Sequence, residues 1–109
     1  MIIKLSMWTL EEGLAVIRTI QPYIHTLGYH VALAGGVLNI GHSLKDLDLV
    51  FLPLTNEKKP ELAELVTTMV SMWGTPHDNI TDPEPCVSLR YQASHVREED
   101  GKRIDVFVV

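Results

Sequence analysis

Apolar residues at Leu14, Ile17 and Ile20, then Ile24 and Leu27, recur with the spacing of one helical stripe. Ahead of them, Thr9-Leu10-Glu11-Glu12 has capping-box spacing, with Thr9 as N-cap and Glu12 reaching back. Pro22 is expected to kink or split this helix, because it lacks a backbone donor and crowds the preceding turn. Gly28 is the expected stop. His30 to Ala34 reads as a short buried strand ending at Gly35-Gly36. Val37 to Ile40 then reads as one helical turn before a loop at Gly41-His42-Ser43. Asp46 to Leu52 alternates polar and apolar, then becomes wholly apolar, the pattern of a strand with one buried face.

After a connector from Pro53 to Lys59, Pro60 is expected in the first turn of a helix running to about Trp73. Leu62, Leu65, Val66, Met69 and Val70 carry it. Gly74 to Pro85, with three prolines and several Asp and Asn residues, reads as a loop. Cys86 to Val96 and Lys102 to Val108 read as two strands joined around Asp100-Gly101. The pattern as a whole predicts an α+β domain: a mixed β-sheet with a C-terminal β-hairpin, flanked by two main helices.

A chain of 109 residues has room for one domain, here residues 1–109. Its 46% hydrophobic and 21% charged residues are those of a soluble globular protein. No apolar run approaches the roughly 20 residues needed to span a bilayer, so no membrane partner is expected. The first residues lack the pattern of a secretory signal, which makes the cytoplasm the expected compartment. Cys86 is the single cysteine and forms no internal disulfide. A net charge of −5 argues against a long nucleic-acid groove built by this domain alone. A nucleotide held through Mg²⁺ is a different case, since the metal supplies positive charge and the protein supplies carboxylates.

That possibility directs attention to Asp46 and Asp48. Residues two apart on a strand face the same way, so these carboxylates project together roughly 6–7 Å apart. Leu47 and Leu49 point the other way. Like charges held so close repel, and a bound cation relieves the repulsion. Asp-x-Asp alone is usually a solvated surface feature. Asp105 strengthens the case, because it stands among apolar neighbours in Ile104-Asp105-Val106-Phe107. There an unpartnered acid pays for its desolvation. With a two-residue turn at Asp100-Gly101, Asp105 pairs opposite Val96 and shares a face with Ser94. The competing reading makes Asp105 an edge residue facing water, or the partner of Arg90 or Arg103.

Gly35 and Gly36 follow a strand, where glycine lets backbone amides approach a phosphate; an ordinary turn is the alternative. Ser43 and Lys45 are candidate phosphate contacts, weighed against a turn cap and a solvated lysine. The five histidines show neither His-x-His nor His-Glu-x-x-His spacing, so zinc is not expected. Trp8 and Trp73 are expected in or beside the core.

Together, Gly35-Gly36, Asp46-Leu47-Asp48 and the later Asp105 resemble the pattern of the nucleotidyltransferase superfamily. That superfamily includes CCA-adding enzymes, poly(A) polymerases and small antibiotic-modifying or toxin-associated members. Gly-Gly-Val followed by Lys-Asp-Leu-Asp-Leu-Val looks closest to the CCA-adding and poly(A) polymerase type of core. Where the CCA-adding branch has an Arg-Asp pair after the glycines, this chain has Leu38-Asn39.

The resemblance implies a nucleotidyltransferase-like fold and a metal-dependent enzyme acting on a nucleoside triphosphate such as ATP. It implies that Asp46, Asp48 and Asp105 are catalytic residues and ligands of Mg²⁺ or Mn²⁺. Gly35, Gly36, Ser43 and Lys45 would bind the nucleotide phosphates. The acceptor is RNA, a protein or a small molecule. The rival class is a catalytically silent nucleotide-binding, regulatory or inhibitor module on the same fold. Four residues follow Asp105, fewer than the related enzymes use to wall the cleft. A second copy of the chain, or a partner protein, is therefore expected to complete it.

Overall fold

The computed structural model describes residues 8–43, 46–55, 60–77 and 89–109. Its elements in order are β1 (Trp8–Thr9), α1 (Leu10–Thr26), β2 (Tyr29–Ala34), α2 (Gly35–Ile40) and β3 (His42–Ser43). They continue with β4 (Asp46–Pro53), α3 (Leu62–Met72), β5 (Thr75–His77), β6 (Tyr91–Val96) and β7 (Arg103–Val108). The protein is α+β, with a mixed five-stranded sheet in the order β2-β4-β7-β6-β5. β7 runs parallel to β4 and antiparallel to β6; the β2–β4 and β5–β6 pairs are antiparallel. A separate two-stranded ribbon joins β1 to β3. No helix among the described residues is long and apolar enough to cross a membrane.

The expected capping box starts α1. The Glu12 amide donates to Thr9 Oγ1 at 3.1 Å, and the Thr9 amide donates to Glu12 Oε1 at 3.2 Å. Glu12 Oε2 also accepts from Lys102 Nζ at 2.6 Å, and this contact is the main cause that lowers the Glu12 pKa. Thr9→Ala removes the acceptor for a helix-end amide, so we expect it to destabilise the fold by about 1 kcal/mol. Urea unfolding measures this directly, and an unchanged midpoint would show that the box does not support the helix.

Of the expected kink or split at Pro22, the split does not occur: the helix runs on through it. The carbonyl that Pro22 cannot pair belongs to Arg18, and both residues are exposed, so water can replace the missing donor. Helix α1 ends near Gly28, whose φ of 91° admits the left-handed conformation that a helix stop requires.

One hydrophobic cluster holds the layers together. Ile20 and Ile24 of α1 and Leu65 and Met69 of α3 meet Leu47, Leu49 and Phe51 of β4 and Ile104, Val106 and Val108 of β7. Because strand side chains alternate, the intervening Asp46, Asp48, Arg103 and Asp105 lie on the other face of the sheet. The core face is thereby fixed by these six apolar residues of β4 and β7, and the acids are turned away from the helices.

Three expectations about the second half of the chain need correction. Pro60 lies before the α3 N-cap, Glu61, rather than in the first helical turn. Its carbonyl accepts from the Tyr29 hydroxyl at 2.9 Å and from Arg90 Nη1 at 3.0 Å, which hold it there. Within the stretch read as a loop, Thr75–His77 form the edge strand β5, where Pro76 is tolerated because one side of an edge strand needs no ladder bond. The rest of that stretch, residues 78–85, lies outside the described residues, as do Cys86 and Lys45.

The third correction concerns register. Val96 pairs with Arg103, so the β6–β7 connection spans Arg97 to Lys102 and is not a two-residue turn. A type I′ turn at Asp100-Gly101 needs positive φ at both residues, but only Gly101, at 71°, has it. The Asp100 carboxylate instead accepts from Arg97 Nη2 at 2.5 Å and from the Lys102 amide at 3.1 Å, locking the wider loop. Asp105 consequently stands opposite Ser94, not Val96.

Both tryptophans anchor the strand that carries Asp105. Trp8 is buried and donates Nε1–H to the Arg103 carbonyl at 3.0 Å, and Trp73 donates to the Lys102 carbonyl at 3.1 Å. Their rings lie 5.3 Å apart between centroids.

Candidate metal centre

Parallel pairing sets Asp48 of β4 beside Asp105 of β7, and Asp46 beside Arg103. One carboxylate oxygen from each of Asp46, Asp48 and Asp105 lies within 4.8 Å of the others. Asp46 and Asp48 are partly exposed, whereas Asp105 is only 8% exposed. The cluster therefore has a buried floor and an open side.

Ser94 and Arg103 build that floor. The fully buried Ser94 hydroxyl donates to Asp105 Oδ1, and Arg103 Nη2 donates to Ser94 Oγ at 2.8 Å. Arg90, considered from sequence as a partner for Asp105, is engaged elsewhere. It donates to the Pro60 carbonyl at 3.0 Å, the Val109 carbonyl at 3.3 Å and the Tyr29 hydroxyl. Asp105 is reached by Arg103 only through Ser94.

The glycines close the other side. Ala34 pairs with Asp48, which brings Gly35 against the Asp48 side chain. Gly35 has φ of 67°, and a Cβ built there would overlap the Asp48 carboxylate. A Cβ at Gly36 would come within 3.3 Å of the His42 carbonyl and 3.7 Å of Ser43 Cβ. Ser43 Oγ accepts from the Asp46 amide at 3.3 Å, so Ser43 sits at the head of β4. Gly35, Gly36 and Ser43 are thus gathered around the Asp46–Asp48 strand.

The electrostatics follow from this crowding. Burial, and then the charge of Asp46, push the Asp48 pKa up from 3.8 to about 6, against a hydrogen bond with Asp105 that lowers it. Carboxylates this close disfavour full ionisation unless a cation joins them. The donor set is all oxygen and partly open, which suits a hard divalent cation that retains some water. Asp46, Asp48 and Asp105 are the three residues that could hold it.

No protein-family model matches this chain, and no curated protein matches it either. The chemistry of the site must accordingly be argued from its own residues.

Sequence reasoning missed two features here. The first is the Arg103–Ser94–Asp105 chain: the sequence places Ser94 on the face of Asp105 and offers Arg103 as a partner, but the bridge through Ser94 needs the true register. The second is His95, fully buried on the core side of β6. Its Nδ1 lies 2.9 Å from the Gly74 carbonyl and its Nε2 lies 2.9 Å from the Tyr91 hydroxyl. A neutral ring satisfies both if Nδ1–H donates to the carbonyl and Nε2 accepts from Tyr91.

Burial lowers the His95 pKa below 6.5, and the Gly74 bond only partly opposes it. Below pH 6.5 the unfolded chain takes up a proton that the folded ring refuses. Stability therefore falls as pH drops from 6.5 through the folded pKa. We expect urea midpoints of wild type and His95→Gln to converge as pH falls from 7 to 5. A gap that stays constant across that range would rule out His95 as the source.

Proposed function

We propose that this chain is a nucleotidyltransferase-fold enzyme that moves a nucleotidyl group from a nucleoside triphosphate to an acceptor hydroxyl. The observation that carries the reading is the convergence of Asp46, Asp48 and Asp105 within 4.8 Å. It is supported by the order of the parts: Gly35-Gly36 directly after β2, Asp46 and Asp48 on β4 beside it in the sheet, and Asp105 on the parallel neighbour of β4.

On this reading Asp46, Asp48 and Asp105 hold Mg²⁺ or Mn²⁺. Such a cation supplies charge stabilisation for the attacking and leaving oxygens of an in-line displacement that releases pyrophosphate. Asp105 would receive the acceptor's proton on a carboxylate that Ser94 holds in place. Gly35 and Gly36, lacking side chains, allow phosphate oxygens to approach the backbone. Ser43 stands beside them as a further polar contact. RNA, a protein side chain and a small molecule all carry hydroxyls that fit the acceptor role.

Incubating the chain with each nucleoside triphosphate and Mg²⁺ tests the proposal through pyrophosphate release. We expect release with at least one nucleotide and a loss of more than about a hundredfold in Asp48→Asn, because metal stabilisation is worth several kcal/mol. Metal-dependent nucleotide binding without release would assign a silent binding module instead. Absence of metal-dependent binding would defeat both readings.

A further inference from the structure

We infer that Ser94 and Arg103 are positioning residues that fix the orientation of Asp105 and so set the affinity of the centre for a divalent cation. This rests on the metal-centre reading above and deepens it. A serine hydroxyl carries one proton, and an arginine only donates. Since Arg103 Nη2 donates to Ser94 Oγ at 2.8 Å, the serine's own proton is free for Asp105 Oδ1. The direction of the chain is therefore set by valence: Arg103 to Ser94 to Asp105. One Asp105 oxygen is tied down by Ser94, which orients the carboxylate toward Asp46 and Asp48.

Two further observations show that the arrangement is held in place. Ser94 is fully buried, and the Arg103 backbone carbonyl is pinned by Trp8 Nε1 at 3.0 Å. Arg103 Nε, in addition, is buried with no hydrogen-bond partner among the described residues. A buried donor left unpaired calls for an explanation. The guanidinium is committed to aiming Nη2 at Ser94.

Charge and orientation make opposite predictions for Arg103, which renders the inference testable. By Coulomb's law alone, removing a guanidinium near three carboxylates should tighten cation binding. If Arg103 positions Asp105, its removal should weaken binding.

The probe is Mn²⁺ alone, with bound and free ion separated by electron paramagnetic resonance during titration of the folded protein. We expect Ser94→Ala to weaken Mn²⁺ about tenfold or more, as loss of a group orienting a metal ligand usually does. Ser94→Thr, which keeps the hydroxyl, should recover most of that loss. Arg103→Met should also weaken binding, and the Ser94→Ala/Arg103→Met double variant should be no weaker than the worse single one. Ile104→Val, destabilised on the opposite sheet face, should bind as wild type does.

Tighter binding by Arg103→Met would overturn the positioning role, as would wild-type affinity in Ser94→Ala. Failure of Ser94→Thr to recover would likewise overturn it by showing that packing, not the hydroxyl, matters. If wild type binds no Mn²⁺, the metal centre itself is wrong and the inference falls with it.

Discussion

Mg²⁺ or Mn²⁺ will raise the melting temperature of this protein, and Asp48→Asn will abolish the rise while making the metal-free protein at least as stable. A ligand at a hundred times its dissociation constant stabilises the folded state by about 2.7 kcal/mol. For a domain of this size, each kcal/mol moves the midpoint by about 4–8 °C, so a shift of roughly 10 °C or more is expected.

The metal-free half of the prediction follows from the raised Asp48 pKa, about 6 against 3.8. The folded protein holds this proton more tightly than the unfolded chain. Stability without metal therefore falls as pH rises from about 4 through 6, and the loss is complete at neutral pH. At about 1.4 kcal/mol per pH unit this amounts to roughly 3 kcal/mol, reduced by solvent screening at this partly exposed group to on the order of 1–2 kcal/mol. Asparagine carries no charge and escapes the loss. Metal binding has the opposite pH trend, strengthening as Asp48 ionises. Melts at pH 5 and pH 7.5, with and without metal, separate the two trends. A wild-type midpoint that ignores metal at both would refute the centre.

The second large effect is expected from Gly35→Ala. Its φ of 67° lies in the left-handed region, where a side chain costs roughly 1–2 kcal/mol. The new methyl would also overlap the Asp48 carboxylate, which must move. We expect destabilisation of that order together with loss of the metal-induced rise in melting temperature. Gly41→Ala is the matched control: its φ of 82° imposes a similar backbone penalty, but a Cβ there meets nothing within 4 Å. It should lower stability and leave the metal response intact. If both variants respond to metal alike, contact between Gly35 and Asp48 does not shape the site.

How much of this was legible in the sequence depends on the range of the interaction involved. Thr9 and Glu12 are three residues apart, and their capping box could be read directly. The period-two spacing of Asp46 and Asp48, set against Leu47 and Leu49, likewise placed the acids and the core on opposite faces. Interactions decided across the chain were hidden. The β1–β3 ribbon is two pairs long, too short to leave a pattern. Strand β5 contains Pro76, a residue that argues for a loop unless one knows it sits on a sheet edge. The β6–β7 register turned on Asp100 bonding to Arg97 and Lys102, which competes with the tight turn that Asp-Gly favours elsewhere. From that one error followed the wrong partner for Asp105: Ser94, already on its face, was not seen to stand directly opposite it.

The position of β7 also bears on how the protein is made. The ribosome delivers β4 and β6 before β7, yet β7 lies between them and pairs with both. Until it inserts, nothing in the sheet order joins the β2–β4 pair to the β5–β6 pair, and a nascent chain has two of the three carboxylates but not the third. Such a non-local closure is characteristically slow. Cation binding would then report on completed folding, because the strand that joins the two pairs is the one that carries Asp105.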